Sequence, residues 1–335
     1  MKVYQHGGDV TAFAKELGCH INEVIDLSSN INFVKPKVDI DFNTLDISAY
    51  PNYNTLYETI AKHYGIETKN MELYNGGSAA IFTLFRELKL EHCTIYSPAY
   101  LEYKKAATLF GYNITHINRL ENINQEVKEN SLVVFVNPST PDGKFYDIEN
   151  LMQQWIHKNC TILIDESFLD FTPYSSTIPY LSHYEKFYIL KSMTKFYSSA
   201  GIRVGTLLSN ASNISKLRSK EPLWKLSQFD STYLQAVLQD ETFKERAKKL
   251  NDTNRDFLMQ ILKNSKYIKS CFVSSANFVL IQLDNISAIN FKALLKPHKI
   301  MVRDCSNFDY LDDSFVRIAV KSKEHLNVLQ KALDA

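Results

Sequence analysis

Short apolar runs alternate with helix-period segments through the middle of this chain, and that alternation narrows its possible folds more than any other feature. Thr94 to Tyr96 reads as a strand followed by a helix from Leu101 to Phe110, and Leu132 to Val136 as a strand followed by a helix from Ile148 to His157. Thr161 to Ile164, Phe187 to Leu190 and Val204 to Leu208 continue the strand series. Short β-rich runs interleaved with helices predict an α/β fold with a largely parallel sheet covered on both faces. Upstream, Leu56, Ile60 and Tyr64 mark a helix that Gly65 ends. Residues 1–44 read as an irregular arm with one short amphipathic helix around Val10 to Leu17 and a break at Pro36. Downstream, a long charged helix from about Thr242 to Asn264 leads to a smaller α/β domain. That domain holds strands Phe278 to Leu283 and Phe315 to Val320 and a terminal helix from Lys323. The predicted division is a large domain at 45–240 and a second unit in which the arm (1–44) joins a small C-terminal domain (241–335). A chain of 335 residues is long enough for both.

Bulk charge excludes one class of partner. With 38 basic against 37 acidic side chains there is no excess for binding a polyanion, so nucleic acid is not expected. No apolar run reaches the roughly 18 to 20 residues needed to cross a bilayer, and Met-Lys-Val-Tyr-Gln-His lacks an apolar signal region. A soluble, cytoplasmic protein without a membrane partner is expected. Five cysteines, Cys19, Cys93, Cys160, Cys271 and Cys305, form no Cys-x-x-Cys pair and read as reduced fillers; no metal site is expected.

Chemistry concentrates at Lys191-Ser-Met-Thr-Lys-Phe-Tyr-Ser-Ser-Ala-Gly-Ile-Arg-Val-Gly205. A strand runs directly into Ser192, Thr194 and Lys195, and Arg203 follows eight residues later. Hydroxyls and cations thus gather at a strand exit, where an anion and a carbonyl compound could be held together. A desolvated lysine there has a lowered pKa and an amine able to attack a carbonyl. In Asn75-Gly-Gly-Ser78-Ala79, a glycine turn opens a helix whose first N–H groups can receive a phosphate, although a simple cap by Ser78 reads identically. Asp165 ends a buried strand, where its charge needs a cationic partner or a turn to cap. Tyr100, at a helix start, reads by itself as a core tyrosine.

Ser-Met-Thr-Lys195 with Gly201-Ile-Arg203-Val-Gly resembles the cofactor-lysine segment of fold-type I enzymes that use pyridoxal 5'-phosphate (PLP), in the aminotransferase class I/II superfamily. Four further segments carry the likeness in the family's order: His6-Gly-Gly-Asp-Val with Asp26-Leu-Ser-Ser-Asn-Ile-Asn; Asp165-Glu-Ser-Phe-Leu-Asp-Phe; Pro222-Leu-Trp with Ala236-Val-Leu-Gln-Asp; and Arg303-Asp-Cys-Ser-Asn with Val316-Arg-Ile-Ala-Val. Within the superfamily they are most similar to the threonine-phosphate decarboxylases, relatives of the histidinol-phosphate aminotransferases. The resemblance implies that Gly77, Ser78, Ser192, Thr194 and Arg203 hold the cofactor phosphate, with Ala79 standing where these decarboxylases have glutamate. It implies that Asp165 pairs with the pyridine nitrogen, that Tyr100 stacks on the ring and that Lys195 is the covalent attachment point. Thr140 stands where an asparagine contacts the cofactor's phenolic oxygen, and Phe168 matches the decarboxylase branch, where aminotransferases have tyrosine. Arg317 matches the substrate-carboxylate arginine, and His6, Asn30 and Arg303 match positions around the substrate phosphate. Tyr50 matches a tyrosine that reaches the cofactor phosphate of a neighbouring subunit, which implies a homodimer.

The function expected is PLP-dependent decarboxylation of a small O-phosphorylated amino acid. Serine phosphate would give ethanolamine phosphate, and threonine phosphate would give aminopropanol phosphate. The alternative is a histidinol-phosphate-type aminotransferase.

Overall fold

The computed structural model describes residues 7–335. The arm carries helix α1 (Val10–Leu17), which Asp9 caps and Gly18 ends at φ 64°, and strand β1 (Ile25–Asp26). After α2 (Asn54–Tyr64) come β2 (Met71–Tyr74), α3 (Gly76–Leu88), β3 (His92–Ser97), α4 (Leu101–Leu109) and β4 (Asn113–Asn118). Then follow β5 (Leu132–Val136), α5 (Glu149–His157), β6 (Thr161–Asp165), β7 (Phe187–Ser192), α6 (Met193–Phe196), β8 (Gly205–Leu208), α7 (Ala211–Arg218) and α8 (Gln228–Leu238). The 21-residue helix α9 (Phe243–Lys263) leads to β9 (Ile268–Cys271), β10 (Phe278–Leu283), α10 (Ala288–Leu295), β11 (Ile300–Met301), β12 (Arg303–Asp304), β13 (Phe315–Ala319) and α11 (Lys323–Asp334).

Seven strands form the main sheet in the order β2-β8-β7-β6-β5-β3-β4, in which only β8 runs against its neighbours. The predicted mostly parallel sheet is therefore present. Its central strands are apolar on both faces. In β5, Leu132, Val134 and Val136 join one core while Val133 and Phe135 join the other, as expected where helices cover both sides. The small sheet is antiparallel, β12-β13-β10-β9, and its core is separate. The arm is tied to this region because β1 pairs in parallel with β11, Ile25 opposite Ile300. Strands β2, β4, β9, β11 and β12 and helices α7, α8 and α10 were not expected from the sequence pattern. Two of those strands have only two residues, and β4 (Asn-Ile-Thr-His-Ile-Asn) is a half-exposed edge with little apolar content.

Parallel packing brings the ends of β3, β5, β6 and β7 to one edge of the sheet. Because β8 is antiparallel, its first residue, Gly205, pairs with Ser192 on one side and Tyr74 on the other. The turn after β2 thus lies beside the exit of β7. Open α/β sheets hold their ligands at such an edge.

Candidate active site

A cavity of about 340 Å³ opens at this edge, between the main sheet, the arm and the small sheet. One end is a close backbone approach. Gly76 has φ +80°, and a Cβ there would lie 3.0 Å from Arg203 Cζ; a Cβ on Gly205 would lie 2.5 Å from Gly77 N. Only glycines allow the α3 turn, Arg203 and β8 to pack this tightly. Around that turn Ser78 Oγ lies 3.2 Å from Tyr100 Oη and Ser192 Oγ lies 2.9 Å from Thr194 Oγ1. Arg203 is aimed by its own backbone, whose N–H donates to Asp230 Oδ1 at 3.0 Å, while Nη1 donates to Ala200 O at 3.0 Å.

At the next strand Asp165 is buried and held from two sides. Tyr103 Oη donates to Oδ2 at 2.7 Å, and Ser167 N donates to Oδ1 at 2.8 Å. Burial, with Asp165 beside it, pushes the Tyr103 phenol well above its ordinary range, so it remains a donor. Lys195, in the single turn α6, extends toward Phe168, with Nζ 5.1 Å from the ring centroid. Burial pushes its amine pKa down; Asp165 opposes this, and Arg203 and Arg317 reinforce it. A larger fraction of neutral, nucleophilic amine follows.

The facing wall comes from the arm and the small sheet. Arg303 and Arg317 are opposite each other on β12 and β13, so both guanidiniums project from one face, and both line the cavity. Arg317 Nη1 donates to Thr140 Oγ1 at 3.0 Å and Nη2 to Ser28 O at 3.2 Å, and its Nε has no partner among the described residues. Burial lowers the Arg317 pKa to about 10, with the Arg303 charge acting in the same direction. Arg303 Nη2 donates to Asn307 Oδ1 at 2.8 Å, and the group sits over Phe308. Asn30 is buried at the cavity; its carbonyl accepts from Asn277 Nδ2, and its side-chain Oδ1 has no partner among the described residues.

The structure thus gathers Gly77, Ser78, Tyr100, Thr140, Asp165, Ser192, Thr194, Lys195, Arg203, Asn30, Arg303 and Arg317 around one cavity. Ala79 does not line it; its side chain packs into the core behind α3. Tyr50 stands outside, exposed and stacked on Trp224 at 4.1 Å. His6 lies outside the described residues. Sequence reasoning missed Tyr103, Leu101, Phe308 and the Thr140–Arg317 contact. The first could have been found from the Tyr100/Tyr103 spacing, which places both rings on the first turn of one helix.

A donor-rich glycine cradle after β2, a buried carboxylate ending β6 and a lysine with a lowered pKa after β7 are the chemistry that PLP requires. The fold and this set define a fold-type I PLP enzyme. The chain belongs to the aminotransferase class I and II family, whose model matches residues 22–333, and PLP is that family's cofactor. It is 29% identical, over 97% of its length, to the adenosylcobalamin biosynthesis bifunctional protein CobDQ of Leptospira interrogans, of which it spans 40%. It is 24% identical to the threonine-phosphate decarboxylase of Salmonella typhimurium, over 98% of this chain and 95% of that protein. The crystal structure of the histidinol-phosphate aminotransferase from Clostridium acetobutylicum superposes with a TM-score of 0.83 at 28% identity, over 93% of this chain and 98% of that one. Among the described residues no helix is long and apolar enough to cross a membrane.

Proposed function

We propose that this protein is a PLP-dependent decarboxylase of a small O-phosphorylated amino acid. The observation that carries this reading is the pair of opposed arginines. Beyond the glycine cradle and Arg203, which suit one phosphate, Arg303 and Arg317 bring two more buried cations to the same cavity. A substrate with both a carboxylate and a phosphate matches that charge. The decarboxylase relative supports the same choice.

In this reading Gly77, Ser78, Ser192, Thr194 and Arg203 hold the cofactor phosphate, Asp165 faces the ring nitrogen and Tyr100 walls the ring. When bound, PLP supplies an electron sink for the pair left at Cα as a bond to Cα breaks. The chain's residues choose the bond. Arg317 would grip the substrate carboxylate and so direct cleavage to the bond between Cα and that carboxylate, which would leave as carbon dioxide. Lys195 Nζ, whose pKa burial lowers, would in its protonated form return the proton that Cα needs. Arg303 and Asn30 hold the substrate phosphate, with Leu101 and Phe308 as the apolar part of that wall. His6, which the resemblance groups with them, would complete that site.

One methyl group separates threonine phosphate from serine phosphate, and a methyl in an apolar pocket changes binding by only about 1–3 kcal/mol. Both are therefore expected as substrates, with the free amino acids poor because the phosphate site would face no anion. The protein is proposed to act as a cytoplasmic homodimer, with Tyr50 reaching the partner's cofactor phosphate. The large cofactor-binding domain is placed at 45–240. The second reading, a histidinol-phosphate-type aminotransferase, is favoured by the 28% identity to the Clostridium enzyme. Turnover on serine phosphate, threonine phosphate and histidinol phosphate, with products identified by mass, decides between them. Carbon dioxide and a phosphorylated amine are expected. A keto product from histidinol phosphate and 2-oxoglutarate, with neither phosphoamino acid consumed, would overturn the decarboxylase.

A further inference from the structure

Behind the polar strand ends that face the cavity lies a buried ion pair facing the other way. Successive side chains of a strand point to opposite sides. Where Asp165 and Ser192 line the cavity, Glu166 and Lys191 do not; they meet in the packed layer behind it. Their side chains are 2% and 5% exposed. Glu166 Oε2 accepts from Lys191 Nζ and from Ser176 Oγ (2.5 Å), and Oε1 accepts from Thr177 N (2.7 Å) and Thr177 Oγ1 (2.6 Å). Lys191 Nζ also reaches Ser176 Oγ at 3.3 Å and lies 5.1 Å from the Tyr64 ring centroid. The backbone joins the same two strand ends, since Glu166 N donates to Leu190 O at 2.9 Å.

Such a pair is a weak source of stability. Desolvation offsets its attraction, and apolar replacements of similar volume are often neutral or stabilising. Its distinctive contribution is geometric, because charge-assisted hydrogen bonds fix direction as well as distance. This one ties the residue after Asp165 to the residue before Ser192. We propose that Glu166 and Lys191 are positioning residues that set the spacing and facing of Asp165 against the Ser192–Thr194–Lys195 segment. The inference rests on the reading of those residues as cofactor contacts. Neither Glu166 nor Lys191 lines the cavity; they act through their chain neighbours.

The test is the double variant Glu166→Met/Lys191→Met in the full chain, beside wild type. Three quantities are read: melting temperature without cofactor, PLP affinity of the apo-protein by absorbance titration, and circular dichroism of the bound chromophore. Expected are an unchanged or higher melting temperature, PLP affinity lowered about tenfold and an altered dichroic band. A folded double variant with wild-type affinity and dichroism would overturn the proposal. If the double variant does not fold, Lys191→Arg and Glu166→Gln take its place. Lys191→Arg keeps the charge pair and should bind PLP as wild type does, whereas Glu166→Gln should bind it more weakly; equal affinities would again overturn it. A wild-type protein that takes up no PLP would remove the underlying functional reading as well, which separates the two failures.

Discussion

The wall of the cavity that carries Asp165, Ser192, Thr194 and Lys195 comes from two neighbouring strands and the turn after one of them. The facing wall is assembled from the arm at Ser28 to Ile31 and from β12 and β13 at the far end of the chain. A sheet ladder fixes the first wall. The second depends on pairing of β1 with β11 and on side chains that reach the arm's backbone: Asn277 to Asn30 O, Arg317 to Ser28 O and Lys321 to Ile31 O. Cofactor contacts in the proposed reading therefore lie along the strand ends of one sheet, and substrate contacts lie where distant segments meet. Substitutions on the two walls should separate cofactor binding from substrate binding.

Lys195→Ala is the largest cut on the sheet wall. It should abolish turnover and the borohydride-reducible link to PLP, as measured by absorbance and mass after reduction. Retained turnover would remove Lys195 from the chemistry. Arg303→Ala is the matching cut on the other wall. A charge-assisted hydrogen bond is worth roughly 1.5–3 kcal/mol, so substrate binding should weaken about 10- to 150-fold while PLP affinity holds. Equal loss of both would show that the walls do not act separately.

The same contrast explains what the sequence could disclose. Lys195 and Arg203 were legible because their segment is continuous, and Asp165 because a carboxylate ending a run of apolar residues is conspicuous. Strand β5 was placed at its observed ends because it is apolar on both faces. On the other wall, resemblance named Arg303 and Arg317, but nothing local revealed that they stand opposite each other. Strand β12 has two residues, and its register with β13 is a long-range fact. The Thr140–Arg317 bond was invisible for the same reason: its partners are 177 residues apart. Thr140 was expected to contact the cofactor, and its hydroxyl accepts a hydrogen bond from the opposite wall.

That bond gives a smaller test. Thr140→Val removes the acceptor at nearly constant volume, leaving Arg317 with Ser28 O alone among the two contacts described. If Thr140 serves mainly to aim Arg317, KM for the phosphoamino acid should rise by about tenfold, on the scale of one hydrogen bond to a charged group, with PLP affinity little changed. Thr140→Ser, which retains the hydroxyl, should restore KM. A loss of PLP affinity in Thr140→Val that matches the loss in KM would assign the hydroxyl to the sheet wall.

Acid should loosen the two walls in different pH windows, and this is the smallest effect expected. Behind the sheet wall, His63 Nε2 lies 3.1 Å from Tyr197 Oη, with Tyr64, Asp170, Lys244 and Lys191 around it. Burial holds its pKa below the ordinary 6.5; Asp170 opposes that shift, and Lys244 and Lys191 reinforce it. The unfolded chain then binds a proton that the folded chain refuses, so stability is full above about pH 6.5 and declines as pH falls toward the folded value. On the arm, burial would raise the Asp26 carboxyl, but hydrogen bonds from Ser28 and Ser29 and the Lys321 charge outweigh it, and its pKa stays below 3.8. Here too the unfolded chain protonates first, but only below about pH 3.8, so the arm keeps that contribution through the window in which His63 loses its own. Hydrogen exchange from pH 7 down to 4.5 should show α2 and the Lys195 turn opening before the Asp26–Asn30 segment. His63→Gln, which keeps a partner for Tyr197 without a titrating ring, should flatten that early opening. An arm that opens first, or a His63→Gln profile that matches wild type, would rule out His63 as the origin of the difference between the walls.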